Sequence, residues 1–469
     1  MIRLSWQRIL LAGLIALHLA ILSSHGTGWL DPLFHDAVYT EGRGVDFFSI
    51  YEGGARLRQG ENAYDPSATG RTPYAYPYRY VPAFLPLAMA FTLLPAWTVY
   101  WLWAGVLEAL LVANVVGTWR LARGPGPRLA ATALWLLPAP YYLELYMGQF
   151  SLLMGTLIFW SGVAFSRGRG RAAGLAWAAS LFVKSCTLLA VPGLWRLGRR
   201  RLVAGALLAL LVLNAPYFLL MDGAWARFSE VNGGSFATVE VDHAHAGNLG
   251  FQALLRQAAR YGEAYGAWHP AVADHALPLL WAAATGAVVT AVSLLQGRRD
   301  AVLTLALAVS GYFLMFRDVW EHQYVMLLAV CALLVLERPS LRRWAWWCGV
   351  ALALPTPFLA LEVLYGTGPD LPPDQGWPLA AVLAYHSVKA VPALALFCRV
   401  AWELRPVALA RRSLRGLPEG LRAGGREPAV APEPSGGVTE AAPPRDRAPD
   451  PGPWARRPEG RWDLADEEP

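Results

Sequence analysis

Long apolar segments recur between residues 9 and 400 of this 469-residue chain, and no other feature restricts its fold as strongly. A helix needs about 20 consecutive apolar residues to cross a bilayer, and soluble domains do not repeat such runs. The chain is also 55% hydrophobic and only 16% charged, so we expect an all-α polytopic integral membrane protein. The apolar runs cover residues 9–24, 81–94, 97–119, 129–143, 150–165, 172–195, 202–220, 277–296, 301–316, 323–336, 344–361 and 378–400.

Arginine clusters separate the apolar runs and predict the topology. Cytoplasmic loops carry an excess of Lys and Arg, so the clusters should face the cytoplasm of a multi-pass plasma membrane protein. The clusters lie at residues 3–8, 120–128, 167–171, 196–201, 298–299 and 338–343. The loops expected outside are 25–80, 144–149, 222–276, 317–322 and 362–377. The first helix is expected to remain as an uncleaved anchor.

Two apolar runs do not fit simple crossings. Residues 172–195 have arginine clusters at both ends, so they should return to their starting side as two short helices with Lys184 near the bend. Residues 81–94 are short and end at Pro95, which favours a re-entrant or interfacial segment. Irregular backbone at membrane depth needs protein or a water-filled cavity around it. We therefore predict a cavity on the outer side and about 11 to 13 membrane helices.

Residues 403–469 differ in kind from residues 1–402, which should form the functional membrane domain. The last segment contains ten prolines between Pro428 and Pro469, mixed charges and few apolar residues. It cannot bury enough apolar surface to offset the entropy lost on ordering, so we expect a disordered cytoplasmic tail. The four cysteines lie in apolar stretches without metal-ligand spacing, so we expect them to be buried.

The first outer loop, residues 25–80, contains the most informative polar residues. Its pattern predicts an interfacial helix that begins at Asp46 and is ended by Gly60, with Glu52, Arg56 and Arg58 in water. A carboxylate at a helix start is often an N-cap, and Asp46 could equally be a general base at the membrane surface. The residues alone leave both roles open.

Several short motifs follow one another in an order typical of one family. They are Asp46-Phe47 with Tyr51, Gly60-x-x-x-Tyr64-Asp65-Pro66, Tyr80-Val81-Pro82, Gly148-Gln149, Lys184, Gly247-Asn248 and Trp320-Glu321-His322. Over roughly residues 5–400 this order resembles glycosyltransferase family 87. That family comprises GT-C membrane glycosyltransferases, typified by mannosyltransferases that use polyprenyl-phosphate mannose.

The resemblance implies a GT-C-type helical bundle that transfers a hexose, with mannose expected, from a polyprenyl-phosphate carrier. The acceptor would be a lipid-linked sugar or an envelope glycan at the outer face, and the transfer would invert the anomeric centre. The resemblance further implies Asp46 as the general base, with no cofactor and no metal. The groups expected near the donor phosphate are Lys184, Arg317 and His322. The residues expected in the sugar and acceptor pocket are Tyr51, Glu52, Tyr64, Gln149, Asn248, Trp320 and Glu321.

Most of these residues also have a structural interpretation. An ionised side chain in an apolar run suggests function, yet Lys184 could extend to an interface. Gln149, Glu144 and Asn248 could simply cap helices. Residues 317–322 could form a solvated turn that contains an Arg–Asp pair.

Other functions find less support. The chain has no GxxxxGK[ST], GxGxxG or GxSxG motif, so ATP-driven transport, nicotinamide chemistry and serine hydrolysis are not indicated. Asp242, His243 and His245 supply too few ligands for a metal site. Topology and anionic lipid already explain the arginine clusters, so nucleic acid is not an expected partner. The competing hypothesis is a non-enzymatic flippase or carrier whose Lys184 and Lys389 bind phosphate, although Lys389 could instead anchor the structure. The oligomeric state is left open.

Overall fold

The structure is a computed structural model, and it describes residues 6–34, 42–65, 71–74, 76–137, 139–237, 247–264, 272, 276–297, 299–366 and 377–405. These residues form helices joined by turns, and their only β-type pairing is an isolated bridge between Asn248 and Trp320. Five of the described helices are long and apolar enough to cross a membrane, or six if one bent pair is counted as a single span. The predicted all-α polytopic class is confirmed. The larger number of crossings stays a prediction, because other apolar runs form shorter helices.

The helices are numbered in chain order. They are α1 Trp6–Thr27, α2 Val45–Arg58, α3 Leu85–Phe91, α4 Ala96–Leu121, α5 Pro125–Leu136, α6 Ala139–Met147, α7 Ser151–Ser166, α8 Gly170–Val183, α9 Val191–Arg196, α10 Arg200–Leu220, α11 Ala224–Ala237, α12 Phe251–Ala264, α13 Leu277–Leu295, α14 Ala301–Met315, α15 Tyr324–Glu337, α16 Arg342–Ala353, α17 Phe358–Tyr365 and α18 Leu379–Leu404. Short 3₁₀ turns lie at Asp31–Phe34, Pro82–Phe84, Ser185–Ala190 and Glu321–Gln323.

The apolar helices α14 and α15 form the centre of the bundle, and nearly all of their residues are buried. Helix α7 approaches α15 through two glycines. A Cβ on Gly155 would lie 3.1 Å from the Ala329 Cβ, and one on Gly162 would lie 2.2 Å from a Leu333 methyl carbon. Small residues allow such close backbone approach, so α7 is held tightly against the centre. This packing fixes the start of α7, where the candidate site lies.

Both irregular apolar runs contain a break. Helix α8 ends at Val183, Lys184 has extended backbone angles, and the chain continues as the 3₁₀ turn Ser185–Ala190 before α9. The predicted break at Lys184 is therefore confirmed, whereas the return of this segment to its starting side stays a prediction. Residues 82–91 form a 3₁₀ turn and the short helix α3.

Most residues of helix α2 are buried against other elements. It begins at Val45, after Gly44 with φ +77, and ends at Arg58, just before Gly60, which also has φ +77. The predicted end is confirmed, and the start lies one residue earlier. Arg58 is exposed as predicted, whereas the prediction that Glu52 and Arg56 stay in water is wrong. Their side chains are buried and pair at 3.4 Å, because α3 and neighbouring segments cover this face of α2.

Other sequence predictions have mixed outcomes. Cys186, Cys331 and Cys348 are buried as predicted, but Cys398 is exposed because it lies on an outward face of α18. From residue 406 onward, the predicted tail lies outside the described residues. Asp242, His243 and His245 also lie outside them.

Candidate active site

Asp46 is the second residue of α2, and its side chain is partly exposed although its neighbours Val45 and Phe47 are buried. Gly44 occupies the N-cap position, and no side chain caps this helix start. The N-cap interpretation of Asp46 is therefore wrong. Its carboxylate instead accepts a hydrogen bond from the Gln149 side chain. Asp46 thus lies beside Gln149 and is partly exposed.

Two glycines bring the start of α2 against the turn between α6 and α7. The Gly44 N–H donates to the Tyr146 carbonyl oxygen at 2.7 Å. Gly148 has φ +68, and a Cβ at this position would lie 2.6 Å from the Cβ of Phe47. Only glycine accommodates both the left-handed backbone and this contact without strain. The contact sets Asp46 beside Gln149, although more than a hundred residues separate them in sequence.

Neighbouring donors hold the Gln149 amide in one orientation. Its Oε1 accepts from the Tyr80 hydroxyl at 3.2 Å and from the Phe150 N–H at 3.4 Å, while its backbone oxygen accepts from Trp103 Nε1 at 3.0 Å. Because donors occupy the oxygen of the amide, its NH₂ group is the end that faces the Asp46 carboxylate. Gln149 therefore positions Asp46 and does not cap a helix.

The surroundings make Asp46 a stronger proton acceptor than a solvated carboxylate. Burial raises the pKa of Asp46, and the Gln149 hydrogen bond and the charges of Lys184 and Arg79 partly oppose this rise. A general base works best when its pKa approaches the working pH. The direction of the shift therefore suits a base, while the nearby cations keep the ionised form accessible.

Lys184 lies at the break after α8, and its side chain is half-buried. Its charge acts on Asp46 and Glu144, and also on the imidazole of His322. Three segments far apart in the chain therefore meet around this ammonium. The interpretation of Lys184 as a side chain extended to an interface does not account for this convergence.

Glu144 is fully buried on α6 and caps the start of α7. One carboxylate oxygen accepts from the Leu152 N–H at 2.6 Å, and the neighbouring Ser151 lies close enough to lower the pKa of the carboxyl. Burial raises the pKa of Glu144 to about 8, although these donors and Lys184 lower it in part. The helix-cap interpretation of Glu144 is confirmed.

His322 lies in the 3₁₀ turn before α15 and is only 2% exposed. Neither ring nitrogen has a hydrogen-bond partner among the described residues. Burial and the Lys184 charge lower the pKa of His322 well below its usual range, so the ring is neutral at neutral pH. A neutral imidazole beside Lys184 is suited to donating one hydrogen bond to a ligand oxygen.

Asn248 builds the turn that carries Arg317 and Trp320. Its Nδ2 donates to the Arg317 carbonyl at 3.1 Å, and its Oδ1 accepts from the Val319 N–H at 3.2 Å. These bonds occupy the Asn248 side chain, so its contacts are structural. Arg317 is 4% exposed, and the interpretation of 317–322 as a solvated turn is therefore wrong. Trp320 remains partly exposed.

Glu321 follows in the same turn, and its partner is Lys389. Its Oε1 lies 3.0 Å from the Nζ of Lys389, and both side chains are almost fully buried. Lys389 also donates to the carbonyl oxygens of Leu352, at 2.7 Å, and Leu354, which end α16. The structure therefore places Glu321 and Lys389 in a structural pair that ties the turn to α16 and α18.

The first-loop residues assigned to the sugar pocket mostly support other residues. Tyr51 donates to the Leu94 carbonyl at 3.0 Å, and Glu52 pairs with Arg56. Tyr64 is buried among aromatic rings, and its hydroxyl donates to the Tyr80 carbonyl at 2.8 Å. Tyr64 therefore holds the backbone of the residue whose own hydroxyl orients Gln149.

Comparison with known families identifies the chain. The model described as glycosyltransferase family 87 matches residues 74–317, more than half of the 469 residues. The chain belongs to glycosyltransferase family 87. It is thus a membrane glycosyltransferase, which requires a sugar donor and an acceptor. No curated protein matches the chain.

The matched region of this family 87 chain contains Tyr80, Gln149 and Lys184 and excludes Asp46 and His322. The sequence predicted four of these five residues as members of the site but did not predict Tyr80. The Tyr80-Val81-Pro82 motif was the feature that could have indicated it. Within the described part of the chain, no group of three or more His, Cys, Asp or Glu side chains could hold a metal ion.

Proposed function

We propose that this glycosyltransferase moves a hexose, with mannose as the expected sugar, from a polyprenyl-phosphate carrier to a hydroxyl of a lipid-linked or envelope glycan. The proposal places Asp46 as the general base and the reaction at the outer face of the plasma membrane. The main support for this proposal is the Asp46 carboxylate, which is partly exposed and lies beside Gln149. The charge of Lys184 acts on this carboxylate electrostatically.

The proposed reaction is a single displacement. Asp46 accepts the proton of the acceptor hydroxyl while that oxygen forms a bond to the anomeric carbon of the donor sugar. The bond between the anomeric carbon and the phosphate oxygen breaks, and polyprenyl phosphate leaves with the electron pair. Attack opposite the leaving group inverts the anomeric configuration. Phosphate is a stable anion, so its departure requires no proton donor.

Charge that develops on the leaving phosphate needs a compensating group in the site. Lys184 supplies a cation, and His322 supplies a neutral N–H donor that the described protein does not otherwise use. Arg79 is exposed and close enough to act electrostatically on Asp46, so it can attract an anionic donor. In the resting site Lys184 balances the Asp46 carboxylate, and in the proposed complex it also faces the donor phosphate.

The alternative of a non-enzymatic carrier loses one of its two phosphate-binding residues. Lys389 is fully buried and paired with Glu321. A carrier also has no use for an oriented carboxylate beside Lys184. Family membership and the geometry at Asp46 therefore both favour the transferase.

The direct test is Asp46→Asn, assayed in membranes with radiolabelled polyprenyl-phosphate mannose and a panel of lipid-linked glycan acceptors. Asparagine keeps the shape of aspartate and cannot accept the proton, so we expect transfer to fall by about 10²- to 10⁴-fold. The matched control is Asp222→Asn, which changes an exposed aspartate before α11 and should leave transfer unchanged.

Each other result has a defined meaning. Transfer by Asp46→Asn within about twofold of the parent would remove Asp46 as the base. A product that retains the donor's anomeric configuration would exclude the single displacement. Transfer of a pentose in place of mannose would correct the donor sugar and leave the assignment of Asp46 intact.

A further inference from the structure

A groove lies between α5 and the start of α16 and is lined in part by arginine. Its residues are far from Asp46 in the sequence. It has a volume of about 330 Å³ and is lined by Ala130, Pro339, Arg342, Arg343 and Trp346. Both arginines belong to the cluster at residues 338–343, and the groove is open at the surface. Nothing in the proposed transfer reaction uses these residues.

The arginines of this groove keep donors available for a ligand. Arg342 uses its Nε to donate to the Val335 carbonyl at 2.9 Å, which anchors the guanidinium and leaves its two terminal NH₂ groups directed elsewhere. Arg343 is exposed and forms no ion pair or hydrogen bond with the described residues. Each guanidinium presents a fork of N–H donors that matches the oxygens of a phosphate, and both arginines line the groove.

Nearby carboxylates do not neutralise this pair. Asp300 is engaged by Arg338, whose Nε lies 2.7 Å from Asp300 Oδ2, and Glu337 pairs with Arg167 at 3.6 Å. The local acidic groups are therefore already matched by other arginines. The charges of Arg342 and Arg343 remain uncompensated, so the groove is electropositive.

The apolar part of the groove indicates a lipid as the source of the anion. Trp346 lines the groove, and its neighbours Trp344 and Trp347 are 50% and 60% exposed on the same helix. Tryptophan gathers at the level of lipid headgroups, where its ring contacts the upper acyl chains. An arginine pair that lines the same groove as Trp346 matches a phosphodiester joined to apolar chains.

We propose that this groove binds one anionic phospholipid, with its phosphodiester between Arg342 and Arg343 and its upper acyl chain against Trp346 and Ala130. The occupant is a structural lipid and is separate from the sugar donor. It would tie α5 to α16, which pack on α15 at the centre of the bundle.

The test is native mass spectrometry of the full-length protein in detergent, titrated with phosphatidylglycerol or with phosphatidylcholine of the same chains. We expect phosphatidylglycerol to bind more tightly, and Arg342→Gln/Arg343→Gln to weaken it by about 10- to 30-fold. The control, Arg171→Gln/Arg201→Gln, removes two exposed arginines elsewhere and should change binding less than twofold.

Two further measurements define the ligand. Trp346→Ala should weaken phosphatidylglycerol and phosphatidylcholine alike, because it removes the apolar contact. Soluble glycerol 3-phosphate should not compete at equal concentration. Three results would overturn the proposal. They are an equal loss of phosphatidylglycerol binding in both double variants, equal affinity for the two phospholipids, and competition by glycerol 3-phosphate. Thermal unfolding of each variant establishes that the binding change does not arise from misfolding.

Discussion

Replacing Lys389 with methionine tests whether this lysine is a structural residue. Lys389 is fully buried, its Nζ lies 3.0 Å from Glu321 Oε1, and it also donates to the carbonyl oxygens of Leu352 and Leu354. Methionine keeps an unbranched apolar chain and removes the ammonium. The variant therefore leaves a buried carboxylate without its partner and removes the donor from two carbonyl groups.

The size of the effect follows from these contacts. Removing one partner of a buried ion pair costs about 3–5 kcal/mol, and each carbonyl left without its donor adds about 1 kcal/mol or more. We expect Lys389→Met to lower the free energy of unfolding by about 5–7 kcal/mol. Adding Glu321→Gln removes the charge left buried, so Lys389→Met/Glu321→Gln should regain at least about 2 kcal/mol.

The free cysteines supply the assay. Cys186, Cys331 and Cys348 are buried thiols that react with a fluorogenic maleimide only after unfolding, and Cys398→Ser removes the exposed thiol. In that background Lys389→Met should melt at least about 5 °C lower, with the double variant in between.

A surface pair on the same helix provides the control for this series. Arg399 pairs with Glu403 at 2.6 Å and is partly exposed, so Arg399→Met should cost less than about 1 kcal/mol. A Lys389→Met melting point within about 2 °C of the parent would refute the reasoning. So would a double variant no more stable than the single one. Either result would return Lys389 to the list of possible phosphate ligands.

Two further predictions concern the site itself. Gln149→Leu removes a hydrogen bond that lowers the pKa of Asp46, so that pKa should rise further and the acidic limb of the pH profile of kcat/KM should move to higher pH; an unmoved limb would contradict the positioning role. Gly148→Ala adds a Cβ 2.6 Å from that of Phe47 at φ +68, whereas Gly168→Ala at φ +70 meets no atom within 4 Å. Both should lose about 1–2 kcal/mol through the backbone, but only Gly148→Ala should also lose transfer activity. Equal activities would exclude the close contact.

Much of the local architecture was predictable from sequence. Asp46, Gln149, Lys184 and His322 were each identified from short motifs or from a charge in an apolar run, and the structure brings them together. The break at Lys184 was also predicted, because arginine clusters at both ends of that apolar run argue against a simple crossing. These predictions succeeded because they depend on residue type and near neighbours.

The structural roles of the other polar residues were not predictable in this way. Glu52 had the surface pattern of an interfacial helix but is buried and paired, because α2 is covered by other segments. Glu321 looked like a pocket residue beside His322 but pairs with Lys389, which is distant in sequence. Periodicity describes the faces of one helix, and it carries no information about which distant segment covers each face.

The sequence by itself determined that this protein lies in a lipid bilayer, that it is helical and which family it belongs to. Bilayer-length apolar runs and ordered motifs are local properties of the chain, so they can be found without the structure. Only the tertiary structure decided which of the two lysines remains available for chemistry. Lys184 meets Asp46, Glu144 and His322 at a partly open site, whereas Lys389 is enclosed with Glu321. The physical reason is that the availability of a buried charge depends on the partners that distant segments bring to it.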